Sequence, residues 1–366
     1  MLRKTSRPID PWINGQSKTA MTFSTFNEAA EAVSRFIRNG EGRFGELALA
    51  LFTLQLKHVP AYRDLCRARH VSVNHWRKIP AVPTTAFRDF EITSLLLNER
   101  TTVFHSSGTT GTVFSRHWHD SSSLAVYENS LQSWFHAHLA PEDCRTLSLT
   151  PAPAEAPHSS LAHMMLTVQH TANFSGTNSP RGWEVNADTA QRACVGAIDG
   201  NQPLLIMGAS FSFVQWLDGM KAPIALPTGS RVMETGGYKG RSRELPKSEL
   251  HALIAQKLGV RPDHIISEYG MCELGSQAYD RIVGRTDCPT FTFPAWARIR
   301  IVSPETQAEV AEGETGLLQV FDLANIRSVL AILTGDLAVR RGDGFELIGR
   351  ATASEPRGCS LALSES

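Results

Sequence analysis

Residues 104–117, FHSSGTTGTVFSRH, combine glycine, hydroxyl and aromatic residues in one short segment. Two glycines and five hydroxyl residues lie between Ser106 and Thr112. Glycine and β-branched threonine both lower helix propensity, so this composition predicts a loop. The preceding residues, TTVF, have the pattern of a short strand. A strand followed by a loop of N–H and hydroxyl donors and then a helix is a common phosphate site, with a solvent-facing turn as the alternative.

Composition limits the class of protein and of partner. The 366 residues are 42% hydrophobic, which is enough for two lobes with a sizeable core. Basic and acidic residues each total 36, so no overall charge favours nucleic acid or an anionic membrane. No apolar run predicts a membrane span or a signal peptide. The six cysteines have no C-x-x-C spacing, so we expect reduced thiols in the cytoplasm.

The order of apolar segments predicts an α/β fold. Strand-like runs such as RTLSLT and PLLIMGA alternate with helical ones, which predicts a mostly parallel sheet flanked by helices. After Phe291 four strand-like runs follow one another and indicate a smaller β-rich lobe. We expect an α/β core over residues 1–290, a β-rich lobe of the same domain over 291–349 and a short tail over 350–366.

Three later stretches carry residues that suit a nucleotide. They are METGGYKG, a glycine turn after a strand, SEYGMCELGS, a turn after an apolar run, and LTGDLAV, an aspartate between two apolar runs. Each is weak alone, because Y-G-x-x-E is commonly a turn and T-G-D a hairpin. The candidate site residues in these stretches are Gly236, Gly237, Tyr238, Tyr269, Gly270, Cys272, Glu273 and Asp336.

In this order the motifs resemble the adenylate-forming superfamily, which includes acyl-CoA synthetases, adenylation domains and luciferases. Members carry a [ST]-S-G-T-T-G loop, a Y-G-x-T-E turn and a T-G-D. Cys272 stands where the second motif usually has threonine. The first motif is matched by Ser106, Ser107, Gly108, Thr109, Thr110 and Gly111.

The resemblance implies a fold and a set of roles. The fold would be the large N-terminal domain of the superfamily, without its usual full C-terminal domain. ATP and Mg²⁺ would be the cofactors: the loop would wrap the β- and γ-phosphates, Tyr269 would lie near adenine, Glu273 would bind Mg²⁺ and Asp336 the ribose hydroxyls. The usual C-terminal lysine has no counterpart after Lys257, whereas Arg350 matches a G-R hinge and would meet the ribose or a phosphate.

The stretch IPAVPTTAFRDFEI and the tail E-x-R-G-C-S-L narrow the resemblance to the acyl-protein synthetases of LuxE type, or long-chain-fatty-acid–protein ligases. That family activates a fatty acid as acyl-AMP and moves the acyl group to its own cysteine, which Cys359 matches. The implied partners are a fatty acid or other carboxylic acid and an acyl reductase that makes aldehyde, as in bioluminescence. The alternatives are a CoA ligase of phenylacetate type and a non-catalytic nucleotide-binding scaffold.

Overall fold

The structure is a computed structural model that describes residues 21–70, 72–106, 114–169, 173–179, 182–238 and 240–351. These residues form nine α-helices: α1 Phe26–Asn39, α2 Phe44–His58, α3 Pro60–Ala68, α4 Ala86–Asp89, α5 Ser121–Leu139, α6 Ser160–Val168, α7 Ala187–Asp199, α8 Ser210–Asp218 and α9 Lys247–Leu258. Among these helices none is both long and apolar enough to cross a membrane.

The same residues form fifteen strands: β1 Val82–Pro83, β2 Thr102–His105, β3 Arg116–His119, β4 Arg145–Ser148, β5 Asn173–Phe174, β6 Gly176–Ser179, β7 Gly182–Val185, β8 Leu204–Ala209, β9 Arg231–Thr235, β10 Ile265–Tyr269, β11 Ala278–Tyr279, β12 Ala297–Val302, β13 Thr315–Asp322, β14 Ala331–Arg341 and β15 Gly344–Arg350. The alternation of helices and strands and the run of strands after residue 291 agree with the sequence prediction.

The central sheet has the strand order β11-β10-β9-β8-β4-β5. All of its neighbours pair in parallel except β10 and β11. Every residue of β8 is buried, as expected for a parallel strand covered on both faces. One face packs in a cluster that includes Trp216 and Ile254, from α8 and α9. The other packs in a cluster that includes Leu131 and Met165, from α5 and α6.

A second sheet is formed by the C-terminal strands. Strands β12 to β15 pair antiparallel, and the short β1 joins β14 in parallel. Helices α1, α2 and α3 share one hydrophobic core with this sheet. The buried Gln55 links α2 to the segment between β13 and β14. Its amide donates to the Asn325 carbonyl at 2.6 Å and accepts from the Leu330 N–H at 3.0 Å. The division of the chain at residue 290 stays a prediction.

The predicted strand–loop–helix arrangement at the serine- and glycine-rich stretch is wrong. Strands β2 and β3 pair antiparallel, with Phe104 opposite His117, so a second strand comes before the helix. Propensity predicted the loop but not the second strand, whose alternation of buried and half-buried residues is only four residues long. Helix α5 follows β3 with Asp120 as the predicted N-cap, accepting from the Ser123 N–H at 2.8 Å.

Candidate active site

Three of the predicted residues meet where β10 ends against β14 and β15. The Tyr269 hydroxyl donates to Asp336 Oδ2 at 2.7 Å. Arg350 Nε donates to the other oxygen, Asp336 Oδ1, at 3.3 Å. The register of β14 and β15 places Asp336 opposite Arg350, so backbone pairing fixes this contact. The two sheets therefore bring the Y-G-x-x-E turn and the T-G-D segment into direct contact.

The Tyr269 ring is held in an aromatic enclosure. Phe291, Phe293 and Phe345 lie edge-on to it, with ring centroids at 5.4–6.2 Å. Such pairs contribute about 0.5–1.5 kcal/mol each beyond their buried area. Burial, followed by the charge of Asp336, raises the pKa of Tyr269 well above its usual range. Tyr269 therefore stays a neutral hydrogen-bond donor to Asp336.

Glu273 is buried in the turn after β10 and has no cationic side chain bound to it among the described residues. Its Oε2 accepts from the Cys272 thiol at 3.2 Å, and its own carbonyl accepts from Asn325 Nδ2 at 3.0 Å. A buried carboxylate without a paired cation is unusual. It suits Mg²⁺, which commonly binds proteins through one or two carboxylates and completes its shell with phosphates and water.

His117 was not predicted from the sequence, yet it ties the hairpin to this turn. Its Nδ1 lies 2.7 Å from the Cys272 carbonyl and its Nε2 lies 3.1 Å from Ser328 Oγ. A carbonyl only accepts, so Nδ1 carries the proton and Nε2 accepts from the serine hydroxyl. Burial lowers the pKa of His117 to about 4, which keeps the ring neutral. A histidine directly after a serine- and glycine-rich loop was the only available signal.

Ser106 closes the base of the hairpin loop. Its N–H donates to the Ser115 carbonyl at 3.1 Å, and its hydroxyl accepts from the Ser115 N–H at 3.0 Å. The other predicted phosphate-loop residues, Ser107, Gly108, Thr109, Thr110 and Gly111, lie outside the described residues, as does Cys359. Through His117, strand β3 of the hairpin is held beside the turn of Glu273.

The glycine turn after β9 lies beside the turn after β10. Thr235 pairs with Glu268 in the parallel register, so β9 and β10 end at the same edge of the sheet. Gly236 has φ +69°, which favours glycine, and a β-carbon there or on Gly237 would meet nothing within 4 Å. The turn therefore presents bare backbone to open space. The hydroxyl of Tyr238 is used elsewhere, donating to the Leu245 carbonyl at 2.9 Å.

A buried hydrogen-bond network, which the sequence did not indicate, holds the backbone of this glycine turn. Ser210 Oγ donates to Glu234 Oε2 at 2.7 Å and lies 3.0 Å from the Gly236 carbonyl. Glu234 also accepts from Ser267 and from His251 Nε2, the latter at 3.2 Å. Burial raises the pKa of Glu234, but the hydrogen bonds from His251 and the serines outweigh it and the net pKa is lowered.

The chain is similar to known proteins both in sequence and in fold. The chain is 22% identical over 327 residues to the long-chain-fatty-acid–luciferin-component ligase of Aliivibrio fischeri, covering 82% of each chain. Among solved structures, 2-hydroxyisobutyryl-CoA ligase in complex with 2-HIB-AMP and CoA superimposes with a TM-score of 0.61, at 13% identity, over 88% of this chain and 68% of the other.

ATP-bound MatB from Rhodopseudomonas palustris superimposes with a TM-score of 0.50 at 13% identity over 70% of this chain. The match spans about half of the MatB chain, 49%. These neighbours share the adenylate-forming fold with the protein. The family model of the LuxE acyl-protein synthetases matches residues 39–366. The chain therefore belongs to the LuxE family of acyl-protein synthetases and is a ligase.

Proposed function

We propose that the protein activates a fatty acid with ATP and then acylates its own Cys359. In the first step a carboxylate oxygen of the acid attacks the α-phosphorus of ATP, and the bond to the leaving pyrophosphate breaks. In the second step the Cys359 thiolate attacks the acyl carbonyl, the thioester forms and AMP leaves. An acyl reductase is the proposed recipient of the acyl group.

The observation that carries this proposal is the contact of Tyr269 with Asp336 beside the turn of Glu273. These motifs are distant in sequence and each is weak alone. Hydrogen bonds join Tyr269 to Asp336, and His117, which follows the serine- and glycine-rich stretch, to the Cys272 carbonyl. Tyr269 and the open glycine turn would hold the base, and Asp336 the ribose hydroxyls. Arg350 now contacts Asp336 and would shift toward the ribose or a phosphate when a nucleotide binds.

Glu273 is the residue that would hold Mg²⁺, because its carboxylate is buried and has no cationic partner among the described residues. When bound, the metal would neutralise phosphate charge. His117 and Asn325 hold the peptides on either side of that carboxylate. A single carboxylate is sufficient, since the phosphates of ATP supply the remaining oxygen ligands.

The short distance in sequence between Arg350 and Cys359 supports Cys359 as the acceptor. It follows Arg350 by nine residues, and an extended chain of that length spans at most about 30 Å. Arg350 itself touches Asp336, so the thiol is tethered within that radius of the nucleotide site. Cys272 is the competing thiol, but it lies in the site and donates to Glu273.

Acid-dependent exchange of labelled pyrophosphate into ATP tests the first step. We expect exchange that requires Mg²⁺ and a carboxylic acid, with fatty acids of several chain lengths as the screen. The matched variants are Glu273→Gln, which removes the metal ligand, and Glu128→Gln, an acidic residue on α5 bound to His163. Exchange that proceeds unchanged in Glu273→Gln would contradict the metal assignment, and no exchange with any acid would contradict the activity.

A further inference from the structure

Glu268 is a buried carboxyl that the proposed reaction does not use. It precedes Tyr269 on β10, and alternation along the strand places it on the same face as Ile266. Ile266 packs with Cys272 and Tyr127 in the cluster between the sheet and helices α5 and α6. Ser267, between them, faces the opposite side and bonds to Glu234. Glu268 therefore faces the core layer that contains Cys272, next to the Glu273 turn.

One carboxyl oxygen of Glu268 is bound within the protein. Thr235 Oγ1 donates to its Oε2. A β-carbon on Gly270 would collide with Oε1 and would lie 3.6 Å from Gln277 Cβ. Glycine at position 270 thus leaves room for the carboxyl. Burial raises the pKa of Glu268 to about 7, so near neutral pH a large fraction is a carboxylic acid that can donate a hydrogen bond.

Two side chains near Glu268 are buried without all their hydrogen-bond partners. Both ring nitrogens of His119 and Oε1 of Gln277 lack a hydrogen bond within the described part of the chain. Each residue is only 2% exposed. Leaving a buried polar group unpaired costs about 1–3 kcal/mol, so unpaired groups in a native structure call for a bound ligand or water.

Tyr127 connects these groups. Its ring centroid is 5.7 Å from that of His119. Burial raises the pKa of its hydroxyl, and the nearby charge of Glu268 raises it further. Tyr127 also packs with Phe104 and with His163 on α6. The polar residues of this region, which we call the Glu268 cluster, are Glu268, Tyr127, Gln277 and His119.

The rest of the layer is apolar. Met164, Met165, Met207, Met233 and Ile266 pack around the cluster. Methionine is flexible and adapts to the shape of an apolar ligand. Apolar side chains with a few convergent polar groups are the kind of lining that holds a ligand with a hydrocarbon body and a polar head.

We propose that the Glu268 cluster binds a hydroxyl or oxo group close to the carboxyl of a fatty acid substrate. The substrate class is then a hydroxy- or oxo-substituted fatty acid rather than a plain alkanoic acid. This inference rests on the proposed adenylation. The position follows from Gly270 and Cys272, which place the cluster beside the turn where the acyl-phosphate bond would form. A carboxylic acid at Glu268 donates to the added oxygen, and Gln277 Oε1 accepts from a hydroxyl.

Pyrophosphate exchange with matched acids tests the inference. The full chain is assayed with a straight-chain acid and with its β-hydroxy and β-oxo derivatives of the same length. We expect kcat/KM to favour a substituted acid by at least about tenfold, as for one buried hydrogen bond. Glu268→Leu should remove the preference and Glu268→Gln should keep most of it. Ser212→Ala, which removes an unpaired buried hydroxyl on α8 in the other core layer, should leave the ratio unchanged.

The ratio measured in the wild-type protein does not depend on the folding of any variant. Exchange with the plain acid that equals or exceeds exchange with both derivatives would overturn this inference and leave the proposed function standing. A preference that survives in a folded Glu268→Leu protein would also overturn it. Exchange with no acid of any kind would overturn the proposed function and this inference together.

Discussion

Two substitutions of His117 distinguish its hydrogen bond to the turn of Glu273 from its packing in the core. His117 Nδ1 donates to the Cys272 carbonyl at 2.7 Å, immediately before Glu273. Asparagine carries its amide nitrogen as many bonds from Cα as Nδ1, whereas glutamine carries it as far as Nε2. His117→Asn therefore keeps the donor to Cys272, and His117→Gln keeps only a group facing Ser328.

The structure sets the size of the expected effect. His117 is 1% exposed, so an unpaired Cys272 carbonyl costs roughly 1–3 kcal/mol of unfolding free energy in His117→Gln. Misplacing a catalytic group by about 1 Å can cost on the order of a hundredfold in rate. We expect pyrophosphate exchange in His117→Gln to fall at least about tenfold, with a higher Mg²⁺ requirement. His117→Asn should stay within about threefold of wild type.

The assay is exchange titrated with Mg²⁺ at saturating ATP and acid, with urea unfolding of the same preparations. Ser328→Ala is the matched control, because it removes only the partner of Nε2 and leaves the Nδ1 contact in place. Equal losses in His117→Asn and His117→Gln, or an unchanged Mg²⁺ requirement in His117→Gln, would show that the Nδ1 hydrogen bond does not position Glu273.

Three further predictions concern single carboxyl groups. Glu273→Gln should lose at least about a hundredfold in exchange while its urea midpoint stays near wild type, since a neutral isostere is retained; wild-type exchange would refute the metal role. Asp336→Asn should raise the KM for ATP more than it lowers kcat, and an unchanged KM would argue against ribose binding. The pKa of Glu268 rises from 4.5 to about 7 on folding, so the folded state binds this proton more tightly. Between those pH values the wild type should lose on the order of 3 kcal/mol of stability relative to Glu268→Gln as pH rises, and parallel urea curves at all pH values would contradict this.

Local sequence patterns predicted most of the architecture. The alternation of apolar runs predicted the parallel sheet. Asp120 was predicted as an N-cap because its side chain alone can accept a hydrogen bond from the first turn of the helix. The hairpin of β2 and β3 was missed, because a four-residue strand carries too little periodicity to distinguish it from a loop. Likewise, the pairing of β1 with β14 joins residues 82 and 332, and no local pattern encodes such a contact.

In the candidate site, too, local motifs predicted some residues and missed others. Tyr269 and Asp336 were predicted from short motifs, whereas the hydrogen bond of 2.7 Å between them was not. The supporting residues His117 and Glu268 were not predicted, because their importance lies in burial and in partners distant along the chain. A lone histidine or glutamate in a sequence carries no sign that its side chain will be enclosed. The roles assigned to Ser107 and Cys359 stay predictions.

Acylation of the protein itself is the direct test of the transfer of an activated fatty acid to Cys359. The full chain is incubated with labelled fatty acid, ATP and Mg²⁺, and protein-bound label is measured before and after hydroxylamine, in the wild type, Cys359→Ser and Cys272→Ser. We predict hydroxylamine-sensitive label on the wild type and its loss in Cys359→Ser, which should still exchange pyrophosphate. Full labelling of Cys359→Ser together with loss of label in Cys272→Ser would contradict the account.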